Sequence, residues 1–130
     1  MDEIRMFVNG QAMSGGSLAD ALDGATFVGS AITAPQYRFY AVRGEFPGLF
    51  PVRNDGRRVP GELYSMPYAM LRERLLPREP AELELTVIEL DDGTGSLCMR
   101  MRAEAINTPG VVDISDAGGW RAYIRRESKR

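Results

Sequence analysis

The residue types in this chain restrict the chemistry that it can perform. It has no histidine and a single cysteine, Cys98. A lone cysteine forms no internal disulfide, and a thiol without a histidine base is a weak candidate for a nucleophile. Zinc sites are built from several histidine and cysteine ligands, so we expect neither a metal site nor another cofactor. Any chemistry must rest on carboxylates, hydroxyls, amides, arginines or backbone dipoles.

A candidate binding site is the loop after the first predicted strand, formed by Asn9, Gly10, Gln11, Ala12 and Met13. Glycine lets a ligand approach the main chain closely, and neighbouring backbone N–H groups can hold a carboxylate or a developing oxyanion. The Gln11 side chain would add a neutral hydrogen-bonding group that points into the pocket. The alternative is an ordinary connection with a glycine turn.

Three polar side chains fall on predicted strands. Arg38 and Tyr40 are two residues apart and therefore share one face of their strand. The Arg38 guanidinium could bind a substrate carboxylate through two hydrogen bonds, and an ion pair at the surface is the alternative. Glu62 lies among apolar neighbours, where it either faces a pocket or pairs with Arg38, and we favour the pairing.

The elements that position these residues are mostly short strands. Strands are predicted at residues 4–8, 26–33, 37–42, 49–53, 59–65, 83–87 and 97–101, with a turn at residues 46–48. Short helices are predicted at residues 18–22, capped by Ser17, at residues 68–76, and from Trp120 to about Arg126. Six or seven strands with about three short helices indicate an α+β class with a mixed, barrel-like sheet.

Composition and charge are those of a soluble globular protein with one domain, residues 1–130. Of the 130 residues, 44% are apolar and 26% are charged. The net charge of −2 provides no basic field for a nucleic acid. The basic residues near the end, from Arg121 onward, are interpreted as a solvated helix end. The chain has no apolar run of the ~18 residues that a membrane span needs and no signal-peptide pattern, so we expect a cytoplasmic protein without membrane partners.

Two family resemblances involve the first loop. The segment Phe7 to Met13 occupies the place of the F-V-Y-G-T/S-L-M signature of γ-glutamylcyclotransferase-like proteins and keeps its glycine and apolar flanks. The chain is more similar to the allophanate hydrolase C-terminal domain, which has the same fold, over Ile4 to Arg125. The counterparts include Gly10, Ser14 and Gly15; Gly24 and Ala25; Tyr37, Arg38, Tyr40 and Ala41; Pro47 and Gly48; Asp92 and Gly93; Asp113 to Ser115; and Gly118 to Tyr123.

These resemblances imply a small mixed barrel with a pocket beside the first loop. In allophanate hydrolase the domain is credited with decarboxylating the N-carboxycarbamate that a partner amidase domain releases. The family's histidine in the first loop falls on Ala12. In γ-glutamylcyclotransferases a glutamate shortly after the central helix is the general base, and Glu79 and Glu82 lie in that stretch here.

Three functions follow as hypotheses. The first is a stand-alone relative that binds, and decarboxylates, a small carboxylated urea-type metabolite, with loop amides and Arg38 holding the anion and Glu62 or Glu79 managing protons. The second is a γ-glutamyl cyclotransferase with Glu79 or Glu82 as the base. The third is a non-catalytic module that binds a metabolite or docks on an amidase.

Overall fold

The computed structural model describes residues 3–129, which form eight strands and two helices. The strands are β1 (Glu3–Val8), β2 (Thr26–Ile32), β3 (Tyr37–Val42), β4 (Phe46–Pro51), β5 (Pro60–Pro67), β6 (Leu83–Glu89), β7 (Gly95–Met101) and β8 (Val111–Asp113). Helix α1 (Tyr68–Met70) continues directly as a π-helical stretch (Leu71–Leu75) and a 3₁₀ turn (Leu76–Arg78), and α2 is Trp120–Ser128. We call residues 68–78 the helical segment. Shorter 3₁₀ turns lie at Ala19–Leu22 and Ala103–Ala105.

The strands form one mixed sheet in the order β2-β5-β1-β7-β4-β3-β8, and β6 also pairs with β7. Strand β7 runs parallel to β1 and β4, and the other pairs are antiparallel. Beyond the end of β2, the Ala34 N–H donates to the Glu89 carbonyl at 3.0 Å, and the Asp91 N–H donates to the Ile32 carbonyl at 2.9 Å. These bonds join β2 to β6 and curl the sheet into a half-barrel, which confirms the α+β class.

The core lies inside this curved sheet, because alternating residues of the strands point inward. Phe7 and Phe39 supply the largest fully buried side chains. The helical segment closes one side through Leu71 and Leu75, and α2 packs through Trp120, which is 4% exposed. The end of the helical segment and the loop after β1 are therefore both fixed to the same core.

The predicted strands and helices are confirmed within a few residues, with two corrections. Ser17 does not cap a helix, because the turn Ala19–Leu22 has no side-chain cap. Residues 46–48 belong to β4, and the turn lies earlier, at Arg43 and Gly44, which have φ angles of 53° and 70°. Gly48 serves packing instead, since a Cβ there would lie 2.6 Å from Leu83 Cδ2.

None of the helices within residues 3–129 has the length and apolar composition needed to cross a bilayer.

Candidate functional site

A cavity of about 200 Å³ lies where the loop after β1 meets the β3–β4 turn and the end of the helical segment. Its apolar lining includes Phe7, Leu18, Phe46, Leu83 and Met99. Its polar lining is Asn9, Gln11, Ser17, Glu45 and Glu79. The two charged residues of this lining are therefore both acidic.

One side of the cavity is the backbone of residues 9–13, which we call the cavity loop. The Met13 N–H donates to the Gly10 carbonyl at 3.1 Å, and the Leu18 N–H donates to the Gln11 carbonyl at 2.9 Å. As at the start of a helix, this turn leaves the N–H groups of Gln11 and Ala12 without a partner inside it. A Cβ at Gly10 would lie 2.4 Å from Pro47 Cδ, so glycine permits the close contact between loop and β4.

The Gln11 side chain lines the cavity next to the β3–β4 turn. Its amide nitrogen donates to the Glu45 carbonyl, at the end of the β3–β4 turn. Asn9 is buried beside it, and its amide lies 3.9 Å from the Cys98 sulfur. Cys98 is fully buried, and burial raises the pKa of its thiol. A buried thiol that resists ionisation is a poor nucleophile, which agrees with the expectation from the sequence.

Glu79 faces the cavity loop from the end of the helical segment. Its N–H donates to the Leu76 carbonyl at 3.1 Å, and the preceding turn is held by Leu75 in the core and by the Arg78–Asp20 ion pair at 2.6 Å. Within residues 3–129 the Glu79 carboxylate has no hydrogen-bond or ion-pair partner. Burial without a partner disfavours the charged form and raises the pKa of Glu79 to about 7.

The other two candidate glutamates are in different environments. Glu82 lies outside the cavity lining and 2.7 Å from the Arg43 guanidinium, whose hydrogen bond lowers the pKa of Glu82. Glu62 also lies outside the lining. Burial tends to raise its pKa, but hydrogen bonds from Ser14 and Tyr64 and the charge of Arg121 together lower it. Glu79 is thus the candidate glutamate that combines a cavity position with a raised pKa.

The sequence profile described as "Allophanate hydrolase C-terminal domain" matches residues 4–125, which is nearly the whole chain. The chain belongs to the allophanate hydrolase C-terminal domain family. A urea amidolyase from Lachancea kluyveri is 28% identical over 95% of the chain, and the chain spans only 7% of that relative.

Solved structures agree with this membership. A uropathogenic E. coli-specific protein is 30% identical with a TM-score of 0.88, covering 95% of this chain and 96% of that chain. Allophanate hydrolase from Kluyveromyces lactis is 26% identical with a TM-score of 0.90, covering 98% of this chain and 22% of that chain. An AIG2-like protein from Mus musculus, at 24% identity and a TM-score of 0.60, covers 84% of this chain and 82% of that chain and shares the fold.

Arg38 and Tyr40 lie outside the cavity lining of this family member. The Arg38 guanidinium donates to Asp113 Oδ2 at 3.0 Å and to the Asp55 carbonyl at 2.8 Å. The predicted pairing of Arg38 with Glu62 is wrong, because these nearer acceptors occupy the guanidinium and Glu62 pairs with Arg121. Substrate binding by Arg38 or Tyr40 stays a prediction.

Sequence reasoning missed two residues, one in the cavity lining and one beside the cavity loop. Glu45 lines the cavity, and Arg121 contacts the segment that follows the cavity loop. A signal for Arg121 was its position inside the Gly118 to Tyr123 block, where the resemblance to the family is densest. Its position next to other basic residues suggested a solvated helix end instead.

Burial of Glu79 should reduce stability as it ionises. Folding raises the pKa of Glu79 from 4.5 to about 7. The contribution of Glu79 to the free energy of unfolding is therefore fully present below pH 4.5 and is lost as the pH rises through about 7. Replacing Glu79 with glutamine removes this loss and should raise the free energy of unfolding at pH 8 by up to about 3 kcal/mol, with a smaller gain at pH 4.5. Denaturant unfolding at the two pH values measures the difference, and equal gains at both would contradict the raised pKa.

Proposed function

We propose that the protein binds a small carboxylated urea- or carbamate-type metabolite in the Glu79 cavity and catalyses the loss of carbon dioxide from it. The observation that carries this proposal is Glu79 itself, a carboxyl group with a pKa of about 7 that faces the backbone of the cavity loop. A group with this pKa is partly protonated at neutral pH and can supply or accept a proton there.

The proposed step uses Glu79 as an acid. In an N-carboxycarbamate, the C–N bond to one carboxylate breaks, carbon dioxide leaves and the electron pair stays on nitrogen. The protonated Glu79 gives its proton to that nitrogen, which produces carbamate and the Glu79 carboxylate; solvent then restores the proton. A bound anion raises the pKa of Glu79 further and so favours the acid form.

The cavity loop would hold the carboxylate that remains. The N–H groups of Gln11 and Ala12 lie at the open start of the turn, where backbone donors can bind an anion. The Gln11 side chain, which is held by the Glu45 carbonyl, would limit the access of water to the bound substrate. Ala12, which takes the place of the family's histidine, lies in the cavity loop. In this proposal Glu79 carries out the proton transfer without a histidine.

An amidase is the partner that this function implies, because an N-carboxycarbamate must be produced by another enzyme. The relatives named urea amidolyase and allophanate hydrolase are much longer than this chain, which spans 7% and 22% of them. We propose that this domain acts together with such an amidase. A non-catalytic module that docks on such an amidase is the alternative.

A γ-glutamyl cyclotransferase activity is the second candidate, and the acidic lining of the cavity favours it. Glu45 and Glu79 would suit the ammonium group of a γ-glutamyl compound better than a dianion. Here Glu79 acts as a base that takes a proton from the α-amine, which then attacks the γ-amide carbonyl. The product is 5-oxoproline.

The direction of the pH dependence separates the two candidates. With an excess of an allophanate-hydrolysing amidase, carbon dioxide release above the spontaneous rate should fall as the pH rises above about 7, because Glu79 must be protonated. A base role predicts instead that 5-oxoproline formation from a γ-glutamyl dipeptide falls as the pH drops below about 7. Both products are followed by NMR. Neither product, together with a stable complex with the amidase, would favour the docking module.

A further inference from the structure

A second cluster of polar residues joins the C-terminal helix to the segment that follows the cavity loop. Its centre is Glu62 on β5, a carboxylate that is 6% exposed. Glu62 accepts hydrogen bonds from the Ser14 N–H at 2.8 Å, the Ser14 hydroxyl at 2.9 Å and the Tyr64 hydroxyl at 3.1 Å. Arg121 of α2 completes the cluster at 3.2 Å. The proposed decarboxylation uses none of these four residues.

Arg121 makes all its contacts in the cluster through one nitrogen. The Nη2 atom donates to the Ser14 carbonyl at 2.6 Å, the Ser14 hydroxyl at 3.1 Å and Glu62 Oε2 at 3.2 Å. Hydrogen bonds with a charged partner are stronger than neutral ones. Both the N–H and the carbonyl of Ser14 are therefore held by ionised side chains from two different elements.

Ser14 connects this cluster to the wall of the cavity. It directly follows Met13, whose N–H closes the turn on Gly10 and whose carbonyl accepts from the Gly16 N–H at 2.9 Å. At its start, the same loop is continuous with β1 and packs on Pro47. The cluster therefore fixes the end of the loop that the sheet does not hold.

We infer that Glu62 and Arg121 are positioning residues that fasten the cavity loop against Glu79 by clamping Ser14 between β5 and α2. This inference rests on the proposed role of the cavity. If it holds, loss of the clamp loosens the loop, admits water beside Glu79 and lowers the pKa of Glu79 from about 7 towards 4.5. A role limited to general stability would not move that pKa.

The test compares Arg121→Ala with Arg125→Ala, a matched arginine one turn later on the exposed face of α2. We expect amide hydrogen exchange of residues 13 and 14, whose N–H groups are hydrogen-bonded, to become faster by about 10-fold or more in Arg121→Ala, because the loop opens locally. The pKa of Glu79, followed by carbon-detected NMR, should fall in the same variant. Arg125→Ala should change neither quantity.

Arg121→Lys should restore slow exchange and the raised pKa, because one nitrogen makes all the contacts and an ammonium group can replace it. If Arg121→Ala does not fold, Glu62→Gln serves as the test variant instead. The glutamine side chain keeps one oxygen that can accept a hydrogen bond from Ser14. Unchanged exchange and an unchanged Glu79 pKa in a folded variant would overturn the inference. Neither measurement needs a substrate, so this result is independent of whether the proposed decarboxylation is found.

Discussion

Replacing Glu79 with glutamine should reduce the rate of carbon dioxide release by a factor of about 10²–10⁴, the contribution typical of a positioned general acid or base. Glutamine has nearly the shape of glutamic acid and cannot transfer the proton. Because Glu79 has no hydrogen-bond partner within residues 3–129, the substitution breaks no bond of the folded protein. The measurement is the amidase-coupled rate above the spontaneous rate, at pH 7.

A matched control for this variant is Glu73→Gln. Glu73 lies on the same helical segment but is exposed, and its ion pair is with the adjacent Arg72. We expect Glu73→Gln to retain the full rate. A Glu79→Gln protein that releases carbon dioxide as fast as the wild type would rule out Glu79 as the acid. The same pair of variants tests the base role when 5-oxoproline is the product measured.

Gly16→Ala should reduce both stability and turnover, because it moves the cavity loop directly. A Cβ at Gly16 would lie 2.1 Å from the Gln11 carbonyl oxygen and 2.7 Å from its carbonyl carbon. Both are backbone atoms, so no side-chain rotation can relieve the contact. We expect a loss of about 1–3 kcal/mol in the free energy of unfolding, typical of overpacking. Displacing binding groups by about 1 Å can lower turnover about 10²-fold.

The neighbouring Gly15 provides the control for this substitution. Gly15 has a φ of 85°, and a Cβ there would meet no atom within 4 Å. Gly15→Ala should therefore cost about 1 kcal/mol through backbone strain and leave the loop in place. Urea unfolding gives the stability of both variants, and the coupled assay gives their turnover. Equal turnover in both would mean that the Gln11 backbone position does not matter for the reaction.

Together these variants separate stability from function at the site. Glu79→Gln is expected to stabilise the protein while it slows the reaction, whereas Gly16→Ala should reduce both stability and turnover. A partly buried carboxyl group without a partner costs stability, and catalysis is a reason to retain such a group.

Seven of the eight strands, the helical segment and the family could be predicted from the sequence. Strand β3 was predicted with its observed bounds, because the stretch is rich in aromatic and β-branched residues and Ala34–Pro35–Gln36 interrupts the ladder. The block from Gly118 to Tyr123 carried the family resemblance. The sequence also indicated the loop after β1 and the stretch of Glu79 as candidate parts of one site.

Which of the three candidate glutamates has a raised pKa depends on the tertiary structure. Glu62, Glu79 and Glu82 are the same residue type, and their pKa values separate only through long-range contacts. Arg43 approaches Glu82 across 39 residues and Arg121 approaches Glu62 across 59, while Glu79 is partly buried without a cation beside it. Desolvation and ion pairing depend on which side chains the fold brings within a few ångströms of a carboxylate, and that information is not local in the sequence.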